Sequence, residues 1–285
     1  MKRLIASFLI PVILTSCNYS NDKNNTKDEH GQNSKKEHSH DTEVLPGHTE
    51  NTVHQYAPTV GLLNSIYTGN QTPEEMVAKG NMGIGTVNDL DGELIAVDGV
   101  VYAIDAAGGI TKAPKELESP NMTMINFQPK TTIEIKNIQS LKDLDKALKS
   151  QATSKNSFYA YRIKGTFPYL KMASAHKVED EDVSLFEYLD TRVMYTRENI
   201  KGTLVGLYTP EYLGNVVIPG LHFHFLSDDI KLGGHLEGIK FDTMTVEVQE
   251  INQLNLSLPE VEKFRNKDLQ MGAAPGATDD KNDSN

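Results

Sequence analysis

Apolar residues recur along this chain with two different periods, and the switches between them mark its elements. From Thr59 to Tyr67, Leu62, Leu63, Ile66 and Tyr67 fall at helical spacing, and Gly69 supplies a stop. Thr72-Pro73-Glu74-Glu75 has the form of a capping box with proline at the first helical position, which predicts a short helix there. Alternation then takes over. Glu93–Val97 and Val100–Ile104 flank Asp98-Gly99, a dipeptide suited to a tight hairpin because both residues tolerate positive φ. Met122–Phe127, Thr132–Ile135 and Phe158–Ile163 read as further strands, and Ser140-Leu141-Lys142-Asp143 opens an amphipathic helix running through Leu148. Gly202–Leu207, Leu221–Phe225, His235–Phe241 and Met244–Val248 are again strands, and a last helix is expected from Pro259 to Asp268. Helices and strands are interleaved and several strands are joined by tight turns. The predicted fold is therefore α+β: two subdomains, 53–150 and 151–269, with mixed or antiparallel sheets and a few short helices.

The two ends of the chain follow neither period. Lys2 and Arg3 precede an almost unbroken apolar run from Leu4 to Leu14, too short to span a bilayer and proportioned like a signal peptide. It ends in Leu14-Thr15-Ser16-Cys17, which resembles the lipobox of bacterial lipoproteins, where the cysteine becomes the lipid-bearing N-terminus. Cys17 is the single cysteine of the 285 residues, which excludes a disulfide framework. Residues 1–17 are thus expected to be a signal segment, and the mature protein to be exported and anchored by its lipid to the bacterial cell envelope. Residues 18–52 are Asn, Asp, Lys, Glu, Ser and His with few apolar positions, and cannot bury enough surface to offset the entropy of ordering. This stretch reads as a disordered tether, although its His30, His38, His40 and His48 could also bind metal weakly. Residues 270–285 read as a disordered tail for the same reason.

A formal charge of −11 and the lack of any basic stripe argue against a nucleic-acid surface. The chemistry concentrates instead in Leu221-His222-Phe223-His224-Phe225. On a strand, residues two apart share a face, so His222 and His224 project together while Leu221, Phe223 and Phe225 pack on the other side. Asp228 and Asp229 mark a turn, and Gly233-Gly234-His235 brings a third imidazole onto a neighbouring strand. Three imidazoles around one point with a fourth position open is a catalytic zinc arrangement. The spacing by itself is equally that of hydrogen-bonded core histidines.

Residues 54–269 resemble the bacterial acetolactate decarboxylase family. The matching segments run in order through Gln55-Tyr56, Leu62-Leu63, Gly83-Ile84-Gly85-Thr86, Asp89-Leu90-Asp91-Gly92-Glu93-Leu94-Ile95, Ile200 to Gly206 and Thr209-Pro210-Glu211-Tyr212. They close on Gly220 to Phe225 and Gly233-Gly234-His235. The resemblance implies an acetolactate-decarboxylase-like fold, a Zn²⁺ cofactor on His222, His224 and His235, and a proton-handling carboxyl at Glu93. It also implies the conversion of the small-molecule substrate 2-acetolactate to acetoin and carbon dioxide, and allows a homodimer.

The family pattern also carries an arginine after the Phe158–Gly165 region, which the resemblance assigns to the substrate's carboxylate. That position falls on Ala173 here. Lys171, two residues earlier, would face the same side of an extended segment and is the candidate replacement cation. The family's proline-rich stretch is replaced by the acidic residues 179–189, and a second family glutamate near the C-terminus has Glu262 as its nearest counterpart. An alternative reading follows from these departures: a divergent zinc-binding lipoprotein without the decarboxylase activity, binding or acting on another small hydroxy-keto acid.

Overall fold

The computed structural model describes residues 51–180 and 182–271, all within one unit. The signal segment, Cys17, residues 18–50 of the expected tether and the tail beyond Met271 lie outside the described residues, while Thr52, expected at the end of the tether, opens the first strand.

Twelve strands run through this region. They are β1 (Thr52–Tyr56), β2 (Met82–Thr86), β3 (Glu93–Val97), β4 (Val100–Ile104), β5 (Ile110–Lys112), β6 (Asn121–Ile125), β7 (Thr131–Ile138), β8 (Phe158–Ser174), β9 (Val193–Thr209), β10 (Gly220–Ser227), β11 (Gly233–Ile251) and β12 (Gln253–Ser257). Five short helices accompany them: α1 (Thr59–Leu63), α2 (Pro73–Val77), α3 (Leu141–Gln151), α4 (Leu185–Leu189) and α5 (Glu262–Asn266). A seven-stranded sheet has the order β12-β1-β6-β2-β3-β4-β5, and a five-stranded sheet the order β10-β9-β8-β11-β7. All pairings are antiparallel except β1 with β12, so the class is the expected α+β with mixed and antiparallel sheets. None of the described helices is long and apolar enough to cross a membrane.

Local chemistry explains where elements begin and turn. Thr72 and Glu75 form the reciprocal capping box of α2, with Pro73 at its first position. Ser140 caps α3 by accepting from the Asp143 amide, and Leu144 and Leu148 bury its apolar face. The β3–β4 hairpin turns on Asp98 and Gly99, both at positive φ.

The five-stranded sheet bends back on itself, because β10 also pairs with β11 over Leu226↔Gly233, Phe225↔Gly234 and His224↔His235. Phe223 and Phe225 point to one face of this curved sheet, into a core shared with Phe167, Leu204, Ile239 and α3. Glycine is needed across from them. A Cβ at Gly206 would come within 2.4 Å of the Phe223 ring, and one at Gly202 within 2.5 Å of the Phe225 ring. The opposite face packs on the seven-stranded sheet through Ala160, Val205, Leu207 and Ile251 against Ile84, Ile95, Ile104 and Ile125. His222 and His224, alternating with the two phenylalanines, are thereby aimed between the sheets.

Several boundaries differ from the sequence expectation. The helix expected to reach Tyr67 ends at Leu63, because Ser65 takes a positive φ and the Asn64 side-chain amide donates to the Val60 carbonyl. His235–Phe241 and Met244–Val248 are one strand, β11, and the last helix contracts to Glu262–Asn266. The division at residue 150 does not separate the sheets. Strand β7 and helix α3 belong with the second sheet, and β12 returns to the edge of the first.

Phe167 and Phe225 are fully buried and meet edge to face, with ring centroids 5.7 Å apart. Phe167→Ala removes a side chain that no neighbour can replace. It is expected to lower the unfolding free energy by about 3–5 kcal/mol, read from the midpoint of a denaturant titration.

Candidate metal centre and its pocket

The three predicted histidines do converge. His224 and His235 are directly opposite in the β10–β11 ladder, and His222 lies two residues along β10 on the same face. One ring nitrogen from each lies within 4.8 Å of the others. His222 Nε2 is 3.2 Å from His224 Nε2 and 3.2 Å from His235 Nδ1.

Burial and hydrogen bonding leave this cluster in a state that could hold a metal ion. His224 is fully buried, and its Nδ1 donates to the Leu94 carbonyl at 2.8 Å, which leaves a lone pair on Nε2 facing its neighbours. Burial pushes the His224 pKa down to about 4, with the Leu94 hydrogen bond opposing. Burial first, then His224 and Arg192, holds His222 well below the ordinary imidazole value. His235 is lowered by burial, then by His222, His224 and Arg192. All three are neutral at pH 7, so each ring has a lone pair that a cation at their centre could take. Three neutral imidazoles with one side open to a cavity fit a metal that keeps an exchangeable fourth position.

The cavity beside the triad measures about 340 Å³, and His222, His235, Glu93, Glu237, Arg192 and Tyr188 supply its polar wall. Leu62, Leu90, Leu185 and Ile218 are among its apolar lining. Glu93 opens β3, one residue before the carbonyl that orients His224, and its Oε2 is 3.6 Å from His224 Nε2. Burial, opposed by Arg192 and assisted by Glu237, raises the Glu93 pKa to about 8, so its carboxyl carries a proton at neutral pH.

Lys171 does not reach this pocket. It pairs with Gly238 of β11, across a bulge between Leu236 and Gly238, and does not line the cavity. Ala173 is fully buried, directly opposite His235. Glu262 is exposed on α5. Two residues that sequence reasoning passed over stand in the site instead. Glu237 is the extra residue of the β11 bulge, a distortion that re-aims a side chain. Its Oε1 is 2.5 Å from Arg192 Nη1 and 3.7 Å from His235 Nε2. Arg192 directly precedes β9, in a stretch with no motif to announce it. The alternating pattern around His235 was the one cue to Glu237, since it lies two residues on.

The segment that carries Arg192 is fixed by its own contacts. A Ser184–Glu187 capping box starts α4, and Leu185, Tyr188, Ala175 and Val178 pack on Leu62, Tyr67 and Leu90. The Tyr188 hydroxyl donates to the carbonyls of Leu90 and His176.

Comparison with known proteins places this site in context. The family described as alpha-acetolactate decarboxylase matches residues 53–271. The alpha-acetolactate decarboxylase of Brevibacillus brevis is 33% identical over 220 residues, 77% of this chain and 77% of that protein. The corresponding protein of Lactococcus lactis subsp. cremoris is also 33% identical, with 77% of this chain and 93% of that protein covered. The crystal structure of alpha-acetolactate decarboxylase from Bacillus subtilis strain 168 superposes with a TM-score of 0.73 at 31% identity, over 77% of this chain and 94% of that one.

Removing one ligand of the triad should release the metal without unfolding the protein. His222→Ala, at the less buried end of the cluster, is expected to abolish stoichiometric divalent metal retention while the far-ultraviolet circular dichroism stays that of the wild type. Metal analysis of dialysed samples checks it.

Proposed function

The chain belongs to the alpha-acetolactate decarboxylase family, whose members are carboxy-lyases, and from that premise we propose that it carries out zinc-dependent decarboxylation of 2-acetolactate to acetoin and carbon dioxide. The observation that carries this reading is the convergence of three imidazoles beside the Glu93 carboxyl in one small cavity. Zinc is the metal this donor set favours, since three histidines and an open position are its common catalytic arrangement. When bound, it supplies a Lewis acid that stabilises negative charge developing on a substrate oxygen.

The chain's own residues do the rest. Breaking the bond to the carboxylate carbon releases carbon dioxide and leaves its electron pair on the substrate, where the adjacent ketone takes it up as an enediolate. Glu93 faces the cavity beside the triad, placed to give a proton to the carbon that has lost the carboxylate and so fix the acetoin product. Leu94, the next residue, holds His224 by its carbonyl, so proton donor and metal ligand share one strand as a frame. The apolar wall of Leu62, Leu90, Leu185 and Ile218 limits water around the carbanionic species, which favours proton delivery from the fixed carboxyl.

The same proposal places the protein at the bacterial cell envelope, through a lipid on Cys17. Its support is the charged n-region, the apolar run and the Leu14-Thr15-Ser16-Cys17 pattern. The alternative, a zinc protein without the activity, drew its support from the missing arginine at position 173. A guanidinium elsewhere in the pocket weakens that support.

Two experiments test the proposal. Acetoin release from racemic 2-acetolactate should accompany one equivalent of zinc, and Glu93→Gln should lower kcat by about 10²–10⁴-fold with zinc retained. Zinc without acetoin in the wild type rejects the reaction. For the anchor, metabolic labelling with a fatty acid should mark the wild-type protein and fail to mark Cys17→Ala, which should leave the membrane fraction. Equal fractionation of the two would reject a lipid on that residue.

A further inference from the structure

We propose that Arg192 binds the substrate's carboxylate, doing from a different strand what the family pattern gives to the position occupied here by Ala173. This rests on the decarboxylase reading for the identity of the substrate, and on this pocket's own geometry for the residue.

Among the described residues that line the cavity, Arg192 is the one lysine or arginine. The strand register explains how it gets there. Ala173 of β8 faces His235 on one side and Met194 of β9 on the other, and the next pair is Ser174↔Val193. Arg192 immediately precedes Val193, two residues before the Met194 that pairs with Ala173, so it enters just past the end of the β8–β9 ladder. The small, fully buried side chain at 173 brings no competing cation.

The guanidinium is held rather than free. Its Nε donates to the Leu189 carbonyl at 3.0 Å and its Nη1 to Glu237 at 2.5 Å. Those two bonds fix the plane of the fork and do not use Nη2. Glu237 in turn sits 3.7 Å from His235 Nε2, the ring nitrogen other than the Nδ1 that meets His222, so the guanidinium is linked to the triad through one carboxylate and one imidazole ring. Arg192, His222 and His235 line the same cavity, so a ligand with its hydroxyl or ketone oxygen towards the triad would present a carboxylate one carbon away to the guanidinium. The pocket thus selects short 2-hydroxy monocarboxylates over neutral hydroxyketones. Arginine suits the task because its planar fork fixes the direction of the carboxylate as well as neutralising it.

The test uses the full chain loaded with zinc and two ligands that cannot react. One is 2-hydroxyisobutyrate, which has the carboxylate and hydroxyl but no ketone; the other is acetoin, which is uncharged. Calorimetric titration of Arg192→Met should show 2-hydroxyisobutyrate weakened about 10- to 100-fold, the loss expected for a charge-assisted hydrogen bond. Acetoin affinity and zinc content should stay unchanged, and Arg192→Lys should fall between the two. Unchanged 2-hydroxyisobutyrate binding in Arg192→Met overturns the proposal, as does parallel weakening of both ligands, which would make Arg192 a structural residue. Failure of the decarboxylase reading looks different. A wild type that makes no acetoin yet binds 2-hydroxyisobutyrate through Arg192 rejects the reaction and keeps the carboxylate site. Acetoin formation with binding indifferent to Arg192 does the reverse.

Discussion

The hydrogen bond from His224 Nδ1 to the Leu94 carbonyl is the contact on which the site depends. It joins the two sheets at the point where the chemistry is placed, since Leu94 belongs to the first and His224 to the second. It fixes the tautomer of a buried imidazole and aims its free lone pair at the other two rings. It also sets Glu93, one residue before Leu94, at the edge of the same cluster. Without this bond a fully buried histidine would leave a ring nitrogen without a partner, at a cost of about 1–3 kcal/mol.

Around that contact the fold uses irregularity where regular strands would fail. A straight ladder would pair every residue of β11 with β8, but the bulge leaves Glu237 unpaired and turned to the cavity. The close of the curved sheet requires Gly233 and Gly234, where backbone and side chains crowd: the Tyr195 hydroxyl donates to the Gly233 carbonyl at 2.6 Å, and a Cβ on Gly234 would lie 2.4 Å from that hydroxyl. The Gly-Gly-His triplet is thus one device, two residues for close approach and one for the metal.

Charge in the site is arranged by burial more than by counting residues. The chain carries a formal −11, yet the pocket combines neutral imidazoles, a neutral carboxyl and a paired arginine. The acidic stretch of residues 179–190 supplies the helix and the tyrosine that steady Arg192, so its acidity is a feature of its outer surface rather than of the pocket.

The sequence by itself determined the elements whose causes are local. The Thr72 and Ser140 caps, the Asp98-Gly99 turn, and the period-two alternation that puts His222 and His224 opposite Phe223 and Phe225 all depend on neighbours a few residues away. The three histidines were legible for that reason, helped by the family pattern, whereas Glu93 was legible through the family pattern alone. Tertiary structure decided the rest. That β7 and α3 join the second sheet and β12 the first follows from pairing across more than a hundred residues, which no local period encodes. Lys171 was the nearest cation along the chain to the missing arginine, but a bulge on the partner strand pairs it with Gly238, away from the cavity. Arg192 was distant in sequence and adjacent in space. Alternation tells which face of a strand a residue takes; only the register between strands tells what it meets there.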